Sequence, residues 1–237
     1  MTGDAAMPPF AILAGGMATR LGDVTRDLPK ALLPIAGRPF IDHQLRLLAR
    51  QGVQDVVLCL GHFGEQIEAF AGDGASYGIR LHYSYDGPTL IGTGGALRKA
   101  LPLLGDEFVF MYGDSYLDTP LAPVVAQARA SGRLGLMAVY RNQGLYDKSN
   151  ADLADGLVRY DKQAGGDPPF IDYGLSWLRS EALAAWHQPE LFDIADVLTD
   201  LSRRGELAGF EVPDRFYEIG SHAGLAETEA HLASSEG

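Results

Sequence analysis

The run Phe10-Ala11-Ile12-Leu13-Ala14-Gly15-Gly16-Met17-Ala18-Thr19-Arg20-Leu21, with Leu28-Pro29-Lys30-Ala31-Leu32 close behind it, carries the strongest structural signal in the chain. Its first four residues are apolar, and they run straight into paired glycines, which reads as a buried strand entering a tight turn. Such a turn lets backbone N–H groups come close to a phosphorylated ligand, while Arg20 and Lys30 supply positive charge. Glycines alone would mark an ordinary βα turn; an Arg and a Pro-Lys pair at these offsets set this one apart. The run fits neither the Gly-x-x-x-x-Gly-Lys-Ser/Thr loop nor the Gly-x-Gly-x-x-Gly turn with its matching acid.

Outward from that turn, short β-like runs alternate with helical patterns, the mark of βαβ units and a mostly parallel sheet. Ile41–Arg50 has helical spacing at Ile41, Leu45 and Leu48, with Gly52 placed to end it. Val56–Leu60 is a buried strand, Glu65–Phe70 a short helix, Ile79–Tyr83 a strand and Ala96–Leu101 a helix cut off before Pro102. Phe108–Tyr112 is a wholly apolar strand that ends on Gly113-Asp114. Open α/β sheets bind ligands beyond the carboxyl ends of their strands, so the ends after Leu13 and Tyr112 are the places to look for chemistry. The second half is less regular, with helices over Leu121–Ala130, Ile194–Arg203 and Ala223–Leu232, and strands over Leu134–Tyr140 and Phe170–Leu178.

The chain has 237 residues, and no linker or repeat divides it, so a single domain over residues 1–237 is expected. A formal charge of −12, spread along the sequence, repels polyanions and argues against nucleic acid and anionic membrane as partners. In so acidic a chain, each cation beside a glycine-rich turn gains weight. Cys59 is the one cysteine and lies in an apolar run, which fits a buried thiol and a reducing compartment. There is neither a basic, apolar leader nor a run of about 18 apolar residues, so a cytoplasmic protein is expected.

These elements resemble the sugar-1-phosphate nucleotidyltransferase family, whose signature is an apolar strand, Gly-Gly-x-Gly-Thr-Arg-Leu, Pro-Lys and Pro-x-x-Gly-x-Pro. The last of these stands here as Pro34-Ile35-Ala36-Gly37-Arg38-Pro39. Further along, Gly92-Thr93-Gly94-Gly95-Ala96-Leu97 resembles the loop for the base and sugar. Gly113-Asp114 is similar to the metal aspartate, and Tyr217-Glu218-Ile219-Gly220-Ser221 to the late acidic element. The match spans nearly the whole chain in order. Two positions depart from it: Ala18 stands where the family has Gly, and Glu218 where it has Asp.

The resemblance implies a Rossmann-like α/β nucleotide-diphospho-sugar transferase fold with a central mixed, mostly parallel sheet. It implies condensation of a nucleoside triphosphate with a sugar 1-phosphate, releasing pyrophosphate. Nucleotide binding then falls to Leu13, Ala14, Gly15, Gly16, Thr19, Arg20, Lys30 and Gly94, and sugar phosphate binding to Gly95, Lys162, Asp172 and Gly174. Arg20, Lys30 and Asp114 carry catalysis, and Asp114 with Glu218 holds Mg²⁺, which offsets the repulsion between two phosphates. The stretch Leu21–Lys30 lacks the additional Pro common in other branches of the family, and Ile91–Ala96 is similar to the heptose 1-phosphate guanylyltransferase branch, pointing to GTP with a heptose or mannose 1-phosphate and to cell-envelope polysaccharide. An N-acetylmuramate 1-phosphate uridylyltransferase is the alternative. The expected assembly is a monomer or homodimer.

Plainer readings stand beside several of these. Asp114 also reads as a turn residue and Glu218 as a surface carboxylate, with Asp118 a rival metal ligand. Lys162 also reads as a loop lysine, and Asp172 as a surface residue beside a glycine bulge. Gly74-Ala75-Ser76-Tyr77-Gly78 matches a serine-hydrolase pattern, but a helix precedes it and a strand follows, the reverse of what that motif needs. The six histidines show no metal-ligand spacing, although His222 lies near the proposed site. Leu45, Leu48, Phe63 and Phe70 read as core. A catalytically silent nucleotide sensor, which Ala18 and Glu218 would suit, is the rival of another class.

Overall fold

The structure is a computed structural model and describes residues 6–16, 28–161, 167–186 and 191–235. In chain order its strands are β1 (Phe10–Leu13), β2 (Pro34–Ile35), β3 (Arg38–Pro39), β4 (Asp55–Leu60), β5 (Arg80–Tyr85), β6 (Glu107–Tyr112) and β7 (Ser115–Tyr116). There follow β8 (Gly135–Arg141), β9 (Ala151–Ala154), β10 (Leu157–Tyr160), β11 (Phe170–Arg179), β12 (Leu207–Val212) and β13 (Tyr217–Glu218). The helices are α1 (Phe40–Arg50), α2 (Gly64–Ala71), α3 (Gly92–Leu104), α4 (Leu121–Ser131), α5 (Ser180–Ala184), α6 (Ile194–Arg203) and α7 (His222–Ser235).

Nine strands form one sheet in the order β5-β4-β1-β6-β11-β8-β12-β10-β9. The first four are parallel to one another, whereas β11 and β10 run against all the rest. The sheet is therefore mixed, with most strands in one direction, as the sequence led us to expect.

Period-two alternation explains how the centre packs. Phe10 and Ile12 of β1, Val56 and Leu58 of β4, and Val109 and Met111 of β6 share one face with Leu45 of α1, Ile67 of α2 and Val124 of α4. Ala11, Leu13, Val57, Cys59, Phe108 and Phe110 line the other face, under α3, α5 and α6. Because helices cover both faces, β1 is buried along its whole length and reads in the sequence as an unbroken apolar run. A third, smaller cluster joins Leu33, Ile35, Phe40 and Leu47 to Tyr116, Ile219 and Leu232, seating α7 beside the start of the chain.

Several expectations from sequence need correcting. The helix expected over Ala96–Leu101 starts at Gly92 and continues through Pro102 to Leu104. Pro102 lies in the closing turns, where losing one N–H and crowding one carbonyl can be absorbed. The hairpin β9–β10 and the strand β12 were not anticipated. Asp155 and Gly156, both at positive φ, form the hairpin's two-residue turn, so an Asp-Gly signal was present but unread. Phe70 is 42% exposed, not core, while Leu45 and Leu48 are buried as expected. The Gly74–Gly78 pattern forms a surface turn with Ser76 exposed, and no strand leads into it. No described helix is long and apolar enough to cross a membrane.

Candidate active site

An open cleft of about 1110 Å³ lies beyond the carboxyl ends of β1 and β6, where both strands run out into glycine. Leu13, Ala14, Gly15, Gly16 and Lys30 line it from the β1 side. The Ala14 N–H donates to the Cys59 carbonyl at 2.9 Å, holding the turn against the end of β4. There is no room for larger residues in this layer. A Cβ on Gly15 would lie 3.0 Å from the Gly61 nitrogen, and one on Gly61 would lie 2.6 Å from the Gly15 carbonyl. Gly113 is equally confined, since a Cβ there would come within 2.7 Å of the Leu13 carbonyl and 2.8 Å of the Ala14 Cα. Thr19, Arg20 and Lys162 lie outside the described residues.

Asp114 and Glu218 stand 104 positions apart in sequence and are brought together by a small antiparallel ribbon. In it β7 pairs with β13, Ser115 opposite Glu218, and the Ile219 N–H donates to the Asp114 carbonyl at 2.9 Å. A Cβ on Gly220 would lie 2.6 Å from Glu218 Oε2, 3.4 Å from Asp114 Oδ2 and 3.6 Å from Lys30 Nζ, so the three charged groups surround one point. The two carboxylate oxygens are then no farther apart than the sum of 2.6 and 3.4, or 6.0 Å. Lys30 Nζ donates to Asp114 Oδ2 at 3.0 Å, with the lysine side chain 18% exposed and the aspartate 38%. Glu218 Oε1 accepts from the Ser221 hydroxyl at 2.6 Å, and Oε2 accepts from the Gly220 N–H.

This donor set fits a magnesium ion. Magnesium takes hard oxygen ligands and is commonly held by one or two carboxylates together with substrate phosphates. Among the described residues there is no group of three or more His, Cys, Asp and Glu that could hold a metal ion. Asp118 is exposed and outside the cleft wall, as is His222.

Gly94 and Gly95 do not line the cleft. Both are buried in the first turn of α3, their N–H groups donating to the Phe192 carbonyl at 3.0 and 3.4 Å, and the Phe192 ring packs against Gly94. The missing side chain of Gly94 makes room for Phe192, while Gly92, Thr93 and Ala96 of the same helix face the cleft. The Thr93 hydroxyl donates to Asp193 Oδ1 at 2.8 Å, linking this helix to the start of α6.

In another wall of the cleft, β11 breaks register between Asp172 and Ser176, forming the bulge that the glycine marked. Gly174 sits at φ +85°, and its N–H donates to Asp172 Oδ1 at 2.9 Å. Asp172 and Gly174 both line the cleft. Burial, aided by the nearby Asp172 carboxylate, pushes the Tyr112 and Tyr160 hydroxyls well above their ordinary values. They therefore stay neutral at physiological pH. Burial likewise pushes the Cys59 thiol up to about 12, which leaves it unreactive although it borders the cleft.

One wall was missed by reasoning from sequence. Arg215 lies between Tyr146 and Tyr217, its guanidinium carbon 4.8 and 4.6 Å from the ring centroids, and it pairs with Glu227 on α7. Phe216 packs edge-on to Tyr173 with centroids 6.1 Å apart. Lys148 lines the same wall and is a further cation there. Arg215 stands only three positions before Glu218, but nothing in the sequence separates a cleft aromatic from a core one.

Residues 11–146 match the protein family described as Nucleotidyl transferase. The chain is 26% identical over 210 residues to D-glycero-alpha-D-manno-heptose 1-phosphate guanylyltransferase of Campylobacter jejuni, covering 88% of this chain and 93% of that protein. It is 30% identical over 235 residues to N-acetylmuramate alpha-1-phosphate uridylyltransferase of Caulobacter vibrioides, covering 94% and 96%. Among solved structures, that of HddC from Yersinia pseudotuberculosis complexed with GMP-PN superposes with a TM-score of 0.79 at 22% identity, over 95% of this chain and all of the other. That likeness extends the shared fold to the less regular second half.

Proposed function

The chain belongs to the nucleotidyl transferase family, and from that premise we propose that it condenses a nucleoside triphosphate with a sugar 1-phosphate, releasing pyrophosphate. One observation carries the reading: Lys30, Asp114 and Glu218, from three separate segments, meet around a single point at the mouth of the glycine-rich turn. A silent nucleotide sensor would have no need of that convergence.

In the reaction, an oxygen of the sugar phosphate forms a bond to the α-phosphorus while the bond from that phosphorus to the bridging oxygen of the β-phosphate breaks. The nucleophile is already an anion, so little acid or base work is required and positioning with charge neutralisation governs the rate. The neutral hydroxyls of Tyr112 and Tyr160 suit that account, because they can donate hydrogen bonds without removing a proton. Lys30 steadies the α-phosphate, and Arg20 neutralises the departing pyrophosphate. Lys162 holds the incoming phosphate, and Asp172 accepts from sugar hydroxyls. Asp114 and Glu218 hold Mg²⁺, which when bound offsets the repulsion between the reacting phosphates.

For the substrates, GTP with a heptose or mannose 1-phosphate is the first reading. The higher identity and broader coverage of the N-acetylmuramate relative favour UTP with N-acetylmuramate 1-phosphate as the second. The test is pyrophosphate release from each nucleoside triphosphate against a panel of sugar 1-phosphates, with and without Mg²⁺. Mg²⁺-dependent release with one pairing is expected; nucleotide binding without release under every pairing would favour the sensor.

A further inference from the structure

Gln44 lies on α1, on the far side of the Asp114 turn from the cleft, and is completely buried. Its Nε2 donates to the Ser115 carbonyl at 2.8 Å and to the Gly113 carbonyl at 3.4 Å, the carbonyls of the residues on either side of Asp114. Carbonyl acceptors on both sides fix which end of the amide carries the nitrogen. The other end, Oε1, is buried with no hydrogen-bond partner. A buried acceptor left unpaired costs stability, and an apolar side chain of similar size would avoid that cost. The amide is retained despite a cost to the core.

The surrounding geometry shows what it gains. Asp114 sits on a two-residue link between β6 and β7. The Gly113 N–H ties one end of this link to Leu13 at 3.0 Å, and the Asp114 carbonyl is tied to Ile219 at 2.9 Å. Those bonds hold the link from the β1 and β13 sides. Gln44 holds it from α1, through the Gly113 and Ser115 carbonyls.

Resting on the nucleotidyltransferase reading above, we infer that Gln44 is a positioning residue that sets the direction of the Asp114 carboxylate for a divalent cation shared with Glu218. It touches neither ion nor substrate. Outer groups that orient metal-binding side chains govern affinity for the ion, and losing one commonly costs about 10–100-fold in metal affinity or activity.

The test compares the intact wild-type protein with Gln44→Met, which keeps the volume but has no N–H to donate, and with Gln44→Glu, which keeps the shape. Three quantities are read: Mn²⁺ affinity of the substrate-free protein by electron paramagnetic resonance, half-saturating Mg²⁺ in pyrophosphate release, and the thermal midpoint. Both variants should bind Mn²⁺ about tenfold or more weakly and need correspondingly more Mg²⁺. Gln44→Met should fold with a thermal midpoint close to wild type, since it removes the unpaired Oε1 while leaving the Ser115 and Gly113 carbonyls without their donor. A folded Gln44→Met with wild-type Mn²⁺ affinity would overturn the inference, as would two variants too unstable to assay, which would assign Gln44 to the core alone. A wild-type protein that binds Mn²⁺ but releases no pyrophosphate would sink the enzymatic reading while leaving the carboxylate-orienting role to stand or fall on the Mn²⁺ comparison.

Discussion

The two halves of the cleft are built in different ways. Where β1 and β6 end, the wall is backbone: Gly15 lies against Gly61 and Gly113 against Leu13 and Ala14, with Lys30, Asp114 and Glu218 projecting beside it. Where β11 and the loops after β8 and β12 line it, the wall is side chain, with Tyr146, Tyr173 and Phe216 near a single glycine bulge. The parallel half thus presents a surface that tolerates no added atom at Gly15, Gly61 or Gly113. The antiparallel half presents one whose shape depends on which aromatic residues stand there. The first suits a constant group such as a triphosphate, and the second a group that varies, such as a sugar.

The largest expected effect lies where charge converges. Asp114→Ala and Lys30→Ala should each lower turnover by about 10²-fold or more, the usual loss when a charge-stabilising group is removed. Wild-type rates of pyrophosphate release in either variant would show that the backbone side is not where chemistry occurs. Next, Gly113→Ala should destabilise by about 1–3 kcal/mol, because its Cβ meets backbone atoms that cannot turn aside. Urea unfolding measures this; an unchanged midpoint would contradict the description of that wall as filled.

A smaller effect sharpens the contrast. Gly174→Ala meets only ordinary contacts, the nearest being Ser115 Oγ and Tyr112 Cδ2 at 3.5 Å, so its cost is the backbone strain of φ +85°, about 1–2 kcal/mol. Its kinetic signature should be a raised KM for the sugar phosphate with the KM for the nucleotide little changed. If the nucleotide KM moved instead, the assignment of the two walls would be reversed. Last, Ser76→Ala should leave both stability and turnover within error, since that hydroxyl lies exposed on a turn remote from the cleft.

Much of the parallel half was legible because its signals are local. Phe10–Leu13 and Ile194–Arg203 have the same ends in sequence and structure, and Cys59 is buried as its apolar neighbours implied. Gly174 marked a real bulge. Errors arose where a residue answers to a distant partner. The glycines at 92, 94 and 95 read as a ligand loop, yet Gly92 and Gly94 have no room for a side chain because Phe192, about a hundred positions later, packs on them. Pro102 read as a helix end, but packing of Leu97, Ala100 and Leu104 against the sheet carries α3 past it.

The amino-acid sequence alone determined the βα beginning of the fold, the cationic glycine-rich turn and the identity of the acids at 114 and 218, because strand periodicity and turn chemistry are properties of neighbouring residues. Only the tertiary structure decided that those acids meet. Their approach depends on β7 pairing with β13 and on α7 docking through Ile219 and Leu232, contacts between segments whose sequences carry no record of each other. The same holds for the wall of Arg215 and its flanking tyrosines, which exists only once distant loops have closed on the sheet.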